Sequence, residues 1–239
     1  MKKVAIVTGA AKGLGVSIAM ALANEGYTLA LHFRSSKKQA EKVYKDVLVK
    51  SPDSILLSFD LTKEKEVSAM VDDVFREFGR IDLLINNVGN FLYKPFGKTS
   101  NSEFRDLLES NIYSTLYCSR AVLEIMRKQK SGQIINIGAV GAERFVFRQN
   151  SIPYFLSKNG VYVLTKTIAW EEAQNGIHVN MISPGSMKED IFKKSDFPMK
   201  RSASYNDVVG ALLFLISPEA YYINGANIEV SGAFIPGMK

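Results

Sequence analysis

One cysteine, Cys118, stands among 239 residues, so no intrachain disulfide can form and a reducing, cytoplasmic setting is expected. Long apolar runs are missing too: none approaches the roughly 18 residues that a membrane span requires, and no membrane partner is expected. Histidine is scarce. Neither His32 nor His178 has a Cys, a His or an acid nearby at ligand spacing, so both are read as structural and no metal site is expected. Lysine and arginine number 30 against 24 acids, a net charge of +6, yet they are scattered and no run interleaves them with aromatics. That argues against a nucleic-acid partner and leaves a mild positive potential suited to an anionic ligand. The N-terminus places Lys2 and Lys3 before an apolar run, but that run is short and leads into a glycine-rich turn, unlike a signal peptide.

What is present has an alternating order. Short, near-continuous apolar runs read as strands at Val4–Val7, Thr28–Phe33, Ser54–Phe59, Leu83–Ile85, Gln133–Ile137, His178–Ile182 and Asn227–Val230. Helical patterns lie between them at Gly13–Glu25, Lys37–Lys50, Lys63–Phe78, Ser102–Arg127, Pro153–Glu172 and Asn206–Ile216. Strands covered on both faces and joined through helices predict an α/β fold, a doubly wound parallel sheet of about seven strands with helices on both faces. With no repeat, low-complexity tract or long linker, residues 1–239 are read as one domain. Ser186–Ser204 lacks periodicity and is expected to form a mobile loop or lid. Cys118 falls on the long predicted helix and reads as a small buried hydrophobe.

Thr8, Gly9, Lys12, Gly13, Leu14 and Gly15 form a glycine-rich turn between the first strand and the first helix. Glycines there let the backbone approach a pyrophosphate, while the helix N-terminus offers free N–H groups and partial positive charge. The second strand then ends His32-Phe33-Arg34-Ser35-Ser36, without the acid that usually accepts a ribose 2′-hydroxyl in NAD sites. Arg34 can grip a 2′-phosphate with its forked donors, helped by the Ser35 hydroxyl and the Lys12 charge. These residues predict NADP(H) as cofactor.

With Tyr154-Phe155-Leu156-Ser157-Lys158 added to the turn, the sequence resembles a classical short-chain dehydrogenase/reductase over essentially its whole length. That resemblance implies a single-domain Rossmann-type fold. Asp60-Leu61 resembles the pair that contacts the adenine, and Asn86-Asn87-Val88-Gly89 resembles the Asn-Asn-Ala-Gly segment lining the cofactor. Asn111 falls where the family has its catalytic asparagine, and Pro184-Gly185, followed by Ser186, resembles the segment beside the nicotinamide. Ser204–Pro218 and the ending Val230-Ser231-Gly232-Ala233 resemble the C-terminal part of 3-oxoacyl-acyl-carrier-protein reductases.

Tyr154 and Lys158 are four apart and share one face of a helix. The Lys158 ammonium favours the phenolate of Tyr154, so the tyrosine can protonate a carbonyl oxygen as hydride reaches its carbon. The resemblance further implies that Lys158 holds the nicotinamide ribose and that Asn111 holds a water linking Lys158 to solvent. It implies a homotetramer acting on a small-molecule or acyl-thioester substrate, including one carried on an acyl carrier protein.

Two departures qualify the match. The family serine at the end of the fifth strand is replaced by Ala139, which offers no donor to a substrate oxygen; Ser151 is the nearest hydroxyl before Tyr154. Losing such a donor commonly costs on the order of 10²–10³ in rate. Glu189 stands where a threonine usually bonds the carboxamide, and the segment to Arg201 is short. Phe145, Phe147 and Phe155 lie before or within the Tyr154 helix, where they can line an apolar cleft or pack in a core. A 3-oxoacyl-thioester reductase is the first reading; a pteridine or dihydrofolate reductase and an NADP-binding scaffold with little catalysis are the alternatives.

Overall fold

The computed structural model describes residues 2–144, 149–187 and 191–236. Seven strands, β1 (Val4–Val7), β2 (Thr28–Phe33), β3 (Ile55–Ser58), β4 (Leu83–Asn86), β5 (Gly132–Ile137), β6 (Ile177–Pro184) and β7 (Asn227–Val230), form one sheet. Their spatial order is β3-β2-β1-β4-β5-β6-β7 and every pairing is parallel.

The period of two along each strand divides the core between two faces. In β1, Ala5 and Val7 face α1 (Leu14–Asn24), α2 (Lys37–Leu48) and α7 (Tyr205–Ile216), packing with Ile18, Leu22, Val47 and Leu212. Val4 and Ile6 face the opposite layer with Val67, Met70, Val122 and Met126, from α3 (Glu64–Phe78) and α5 (Ser114–Gln129). Ala169 of α6 (Ile152–Glu172) joins that second cluster. The sheet is therefore doubly wound. Its order reverses between β1 and β4, where strand ends diverge and open a crevice.

The single helix expected over Ser102–Arg127 is two helices. α4 (Asn101–Leu108) is separated from α5 by a π-turn at Glu109–Tyr113. The hydroxyls of Ser114 and Thr115 bond back to the carbonyls of Ser110 (2.6 Å) and Asn111 (2.8 Å), which gives both carbonyls partners within the irregular ladder.

The loop expected at Ser186–Ser204 has anchors. Beyond residues 188–190, which lie outside the described residues, Lys194–Asp196 form a short 3₁₀ turn. Phe197 beside it is buried against Phe234, with ring centroids 4.6 Å apart. Cys118 is buried as expected, and burial pushes its thiol up to about 12.

Candidate active site

The crevice at the β1/β4 divergence is a cleft of about 330 Å³. Gly9, Lys12, Arg34, Ser35, Asp60, Leu61, Asn87, Val88 and Gly89 line it, which brings together nine of the residues singled out in the sequence. Thr8 lies beneath the cleft, fully buried. Its hydroxyl donates to the Ile85 carbonyl (3.0 Å) and accepts from the Asn87 (2.9 Å) and Val88 (3.2 Å) N–H groups. Thr8 thus clips the end of β1 to the end of β4, with no hydroxyl proton left for a ligand. The Asn87 amide donates to the Thr8 carbonyl at 3.0 Å, completing the clip. Gly13 and Leu14 open α1, and a Cβ on Gly15 would collide with the Gly9 carbonyl, so only glycine allows this close approach of helix to turn.

At the ends of β2 and β3, pairing places Phe33 beside Ser58 and carries Asp60 to Arg34. The guanidinium and carboxylate are 3.8 Å apart, with half of the Arg34 side chain exposed. The segment just after β3 thus brings an acid beside Arg34. Burial would raise the Asp60 carboxyl, but two hydrogen bonds from Thr62, with Arg34 and Lys63 nearby, hold it below the usual carboxylate range. Its Oδ1 accepts from the Thr62 N–H and hydroxyl, closing an Asx turn that fixes its aim.

The other end of the crevice is built on the π-turn. Asn111 is fully buried; its amide donates to the carbonyls of Asn90 (2.9 Å) and Leu107 (3.0 Å). Its Oδ1 is, among the described residues, the buried side-chain polar atom left without a partner. A Cβ on Gly89 would strike that oxygen and lie 3.4 Å from Lys158 Nζ, so the two groups flank one small space that glycine keeps open. Lys158 is 5% exposed and donates to the Ile137 carbonyl at the end of β5 (2.7 Å). Burial pulls its ammonium down to about 8. Nζ lies 5.7 Å from the centre of the Tyr154 ring, one helical turn back on α6. Tyr154 also meets Phe91 edge-on, with centroids 4.9 Å apart.

Ala139, just past β5, is buried at 5% exposure. Ser151 is buried as well, and its hydroxyl donates to the Gln149 carbonyl at 3.3 Å. Pro184 ends β6 and accepts from the Val140 N–H (3.0 Å); Gly185 donates to the Val230 carbonyl (2.9 Å), and the Ser186 carbonyl accepts from Ala203 (3.0 Å). The segment after β5 is also tied across to β7. Glu229 accepts from the Gly141 N–H at 2.6 Å and pairs with Arg144 at 3.0 Å. Phe145, Phe147 and Glu189 lie outside the described residues, while Phe155 stacks edge-on against Tyr154 with centroids 5.3 Å apart.

Several lining residues escaped the sequence reading. Thr62, Asn90 and Ser110 border the cleft, and so does His32. Phe91 had no periodic signal because it lies on the loop after β4, which is held by the Lys94 N–H bond to the Asn150 carbonyl. His178 stacks against Tyr221 at 5.0 Å, in keeping with a structural role. Among the described residues no group of three or more His, Cys, Asp or Glu is placed to hold a metal, and no helix is long and apolar enough to cross a membrane.

A glycine turn at the sheet's switch point and a Tyr-x-x-x-Lys pair on the crossover from β5 to β6 define a class, and the chain belongs to the short-chain dehydrogenase/reductase family. Residues 9–234 match the family model described as enoyl-(acyl carrier protein) reductase. Among its relatives is the 3-oxoacyl-[acyl-carrier-protein] reductase FabG of Staphylococcus epidermidis, 34% identical over 97% of this chain and 98% of the relative. The FabG of Staphylococcus aureus strain Mu50 is similar to the same degree, 34% over 97% and 98%. The 1,6-dihydroxycyclohexa-2,4-diene-1-carboxylate dehydrogenase of Acinetobacter baylyi is 35% identical over 96% of this chain and 95% of its own.

Proposed function

We propose that this chain is an NADPH-dependent carbonyl reductase whose substrate is a 3-oxoacyl thioester or a compound like it. The observation that carries the reading is the arrangement around Gly89: an unpartnered, buried Asn111 Oδ1 and a buried Lys158 ammonium flank one small space, with Tyr154 one turn away. These residues fit a nicotinamide dinucleotide. The tight Gly9–Gly15 approach leaves room for a pyrophosphate at the α1 N-terminus, and half-exposed Arg34 with Lys12 and Ser35 would hold a 2′-phosphate. When bound, the reduced nicotinamide supplies hydride to the carbonyl carbon. Tyr154 donates its phenolic proton to the carbonyl oxygen, and the nearby Lys158 charge stabilises the phenolate that remains. Asn111 Oδ1 accepts from a water that passes a proton towards Lys158. Asp60 and Leu61 would border the adenine, and Asn87, Val88, Pro184, Gly185 and Ser186 the nicotinamide half. We assign residues 1–239 to one cytoplasmic NADP-binding domain that assembles as a homotetramer. Light scattering at the 26.5 kDa monomer mass would overturn the assembly.

The relatives named as 3-oxoacyl-[acyl-carrier-protein] reductases support the substrate class. The test is turnover of NADPH against acetoacetyl thioester, quinone, sugar and pterin substrates. Fastest turnover on the thioester is expected, and turnover confined to the pterin would replace the reading. Ala139 and the Ser151 hydroxyl bonded to Gln149 favour a second reading, a nucleotide-binding scaffold, which predicts tight NADPH binding and no turnover on any of the four.

A further inference from the structure

His32 is 2% exposed, yet it belongs to the wall of the cofactor cleft. Its ring bridges three strands. Nδ1 lies 3.2 Å from the Gly9 N–H and must accept from it, which leaves Nε2 protonated and donating to the Phe59 carbonyl at 2.9 Å. The backbone carbonyl of His32 also accepts from the Ala10 N–H at 2.9 Å. Two successive N–H groups of the glycine turn are thus held by one residue and pulled towards β2. The N–H groups left to face a phosphate are those further along the turn and at the start of α1.

We propose that His32 is a positioning residue for the cofactor: its neutral Nε2–H form locks the glycine turn against the ends of β2 and β3. This rests on the nicotinamide-cofactor reading. An imidazolium has a proton on both nitrogens, and no ring flip restores an acceptor for Gly9. Protonation would set N–H against N–H and release the turn. The charged groups around the ring are Lys12 from the turn, Arg34 from the end of β2, and Asp60 beyond β3, itself beside Lys63. Burial disfavours the imidazolium most; the Phe59 carbonyl and Asp60 oppose that, Arg34 adds to it, and the net keeps the ring neutral below the ordinary histidine range.

The test is the affinity of the whole protein for NADPH and for NADH as pH falls from about 7.5 to about 4.5, with NADH as the control because a 2′-phosphate itself titrates near about 6. Because burial holds the ring neutral below the ordinary histidine range, wild type should keep its affinity for both nucleotides down to about pH 6.5 and lose about threefold or more by the low end of that range. His32→Asn, whose Oδ1 stands at the level of Nδ1 and can accept from Gly9 without titrating, should bind both with a flat profile. His32→Ala should bind weakly at every pH, with kcat at saturating NADPH changed little. A flat wild-type NADH profile, or a His32→Asn variant that keeps the wild-type fall, overturns the proposal. Should His32→Asn fail to fold, nitrogen NMR of wild type decides. An Nε2–H tautomer whose protonation moves the Gly9 amide supports the proposal, and an Nδ1–H tautomer or an unmoved Gly9 overturns it. A wild type that binds neither nucleotide at any pH overturns the cofactor reading together with this proposal, whereas binding with a flat profile overturns this proposal alone.

Discussion

At the carboxyl ends of β1 to β4, polar groups hold one another: Thr8 clips Asn87 and Val88, His32 holds Gly9 and Ala10, and Thr62 aims Asp60. At the ends of β5 to β7 the pattern differs. Ala139, buried just past β5, carries no side-chain donor, and the segment after β5 is held by the charge of Glu229 on the edge strand. In the first region these turn and strand-end groups are held by one another, while Arg34 stays half-exposed at the rim. In the second, the Ser151 hydroxyl and the Glu229 carboxylate are bonded to backbone groups of the segment after β5. Changes in the first region should therefore alter cofactor choice, and changes in the second should alter substrate choice and rate.

The sharpest way to break that division is Tyr154→Phe. Removing the phenolic proton should cost roughly 10²–10⁴ in NADPH turnover while NADPH affinity stays unchanged. Steady-state rates beside a binding titration check both halves of the claim, and unchanged turnover would strip Tyr154 of its role. Next in size is the nucleotide preference. NADPH should bind at least about tenfold tighter than NADH at moderate salt, because Arg34 and Lys12 meet a phosphate that NADH lacks. Arg34→Asp should abolish or reverse that preference, measured by fluorescence titration of both nucleotides. Equal wild-type affinities would end the NADP assignment.

Ala139→Ser probes the second region. A hydroxyl near the substrate oxygen should raise turnover by about threefold or more, up to roughly 150-fold if the bond is well aligned. No gain in a fast wild type would point to another donor, and Ser151→Ala should then lower the rate. The smallest effect concerns Lys158. Its folded-state ammonium is drawn down to about 8, so between there and its unfolded value near about 10.4 the unfolded chain binds more protons. Stability should rise with pH across that window. Melting temperatures of wild type and Lys158→Met should therefore differ by a few degrees more in favour of wild type at high pH than at neutral pH. A constant difference would contradict the buried charge.

The sheet was legible because its strands are continuous apolar runs ended by turn residues, and the observed strands differ from the expected ones by a residue or two at their ends. Arg34 and the glycine turn were legible for a related reason: both sit at strand ends whose chemistry follows from position. The Arg34–Asp60 approach was not, because it depends on the register of β2 against β3. The role of His32 was hidden in the same way, since its partners Gly9 and Phe59 are far apart along the chain. The break at Glu109–Tyr113 was invisible because Ser110, Asn111 and Thr115 fit a plain helix at the resolution of a hydrophobic pattern. Only the backbone shows that one extra residue has been fitted into that turn.

That extra residue makes the site sensitive to chain length in a way that composition is not. Each residue of an α-helix advances the chain by about 100° and about 1.5 Å. Deleting one residue within Glu109–Tyr113 would let α4 and α5 merge into a single regular helix with an unbroken ladder, a gain in local order. Because the wide turn absorbs its extra residue, the same deletion would leave the two flanking helices in phase and shift only the residues of the turn itself, by about 100°. Asn111, inside that turn, would swing away from Gly89, while the apolar stripe of Cys118, Val122 and Met126 would stay against the sheet. A shorter, more regular helix and a working site are thus mutually exclusive, and length variation in this segment would be tolerated less than substitution at most of its positions.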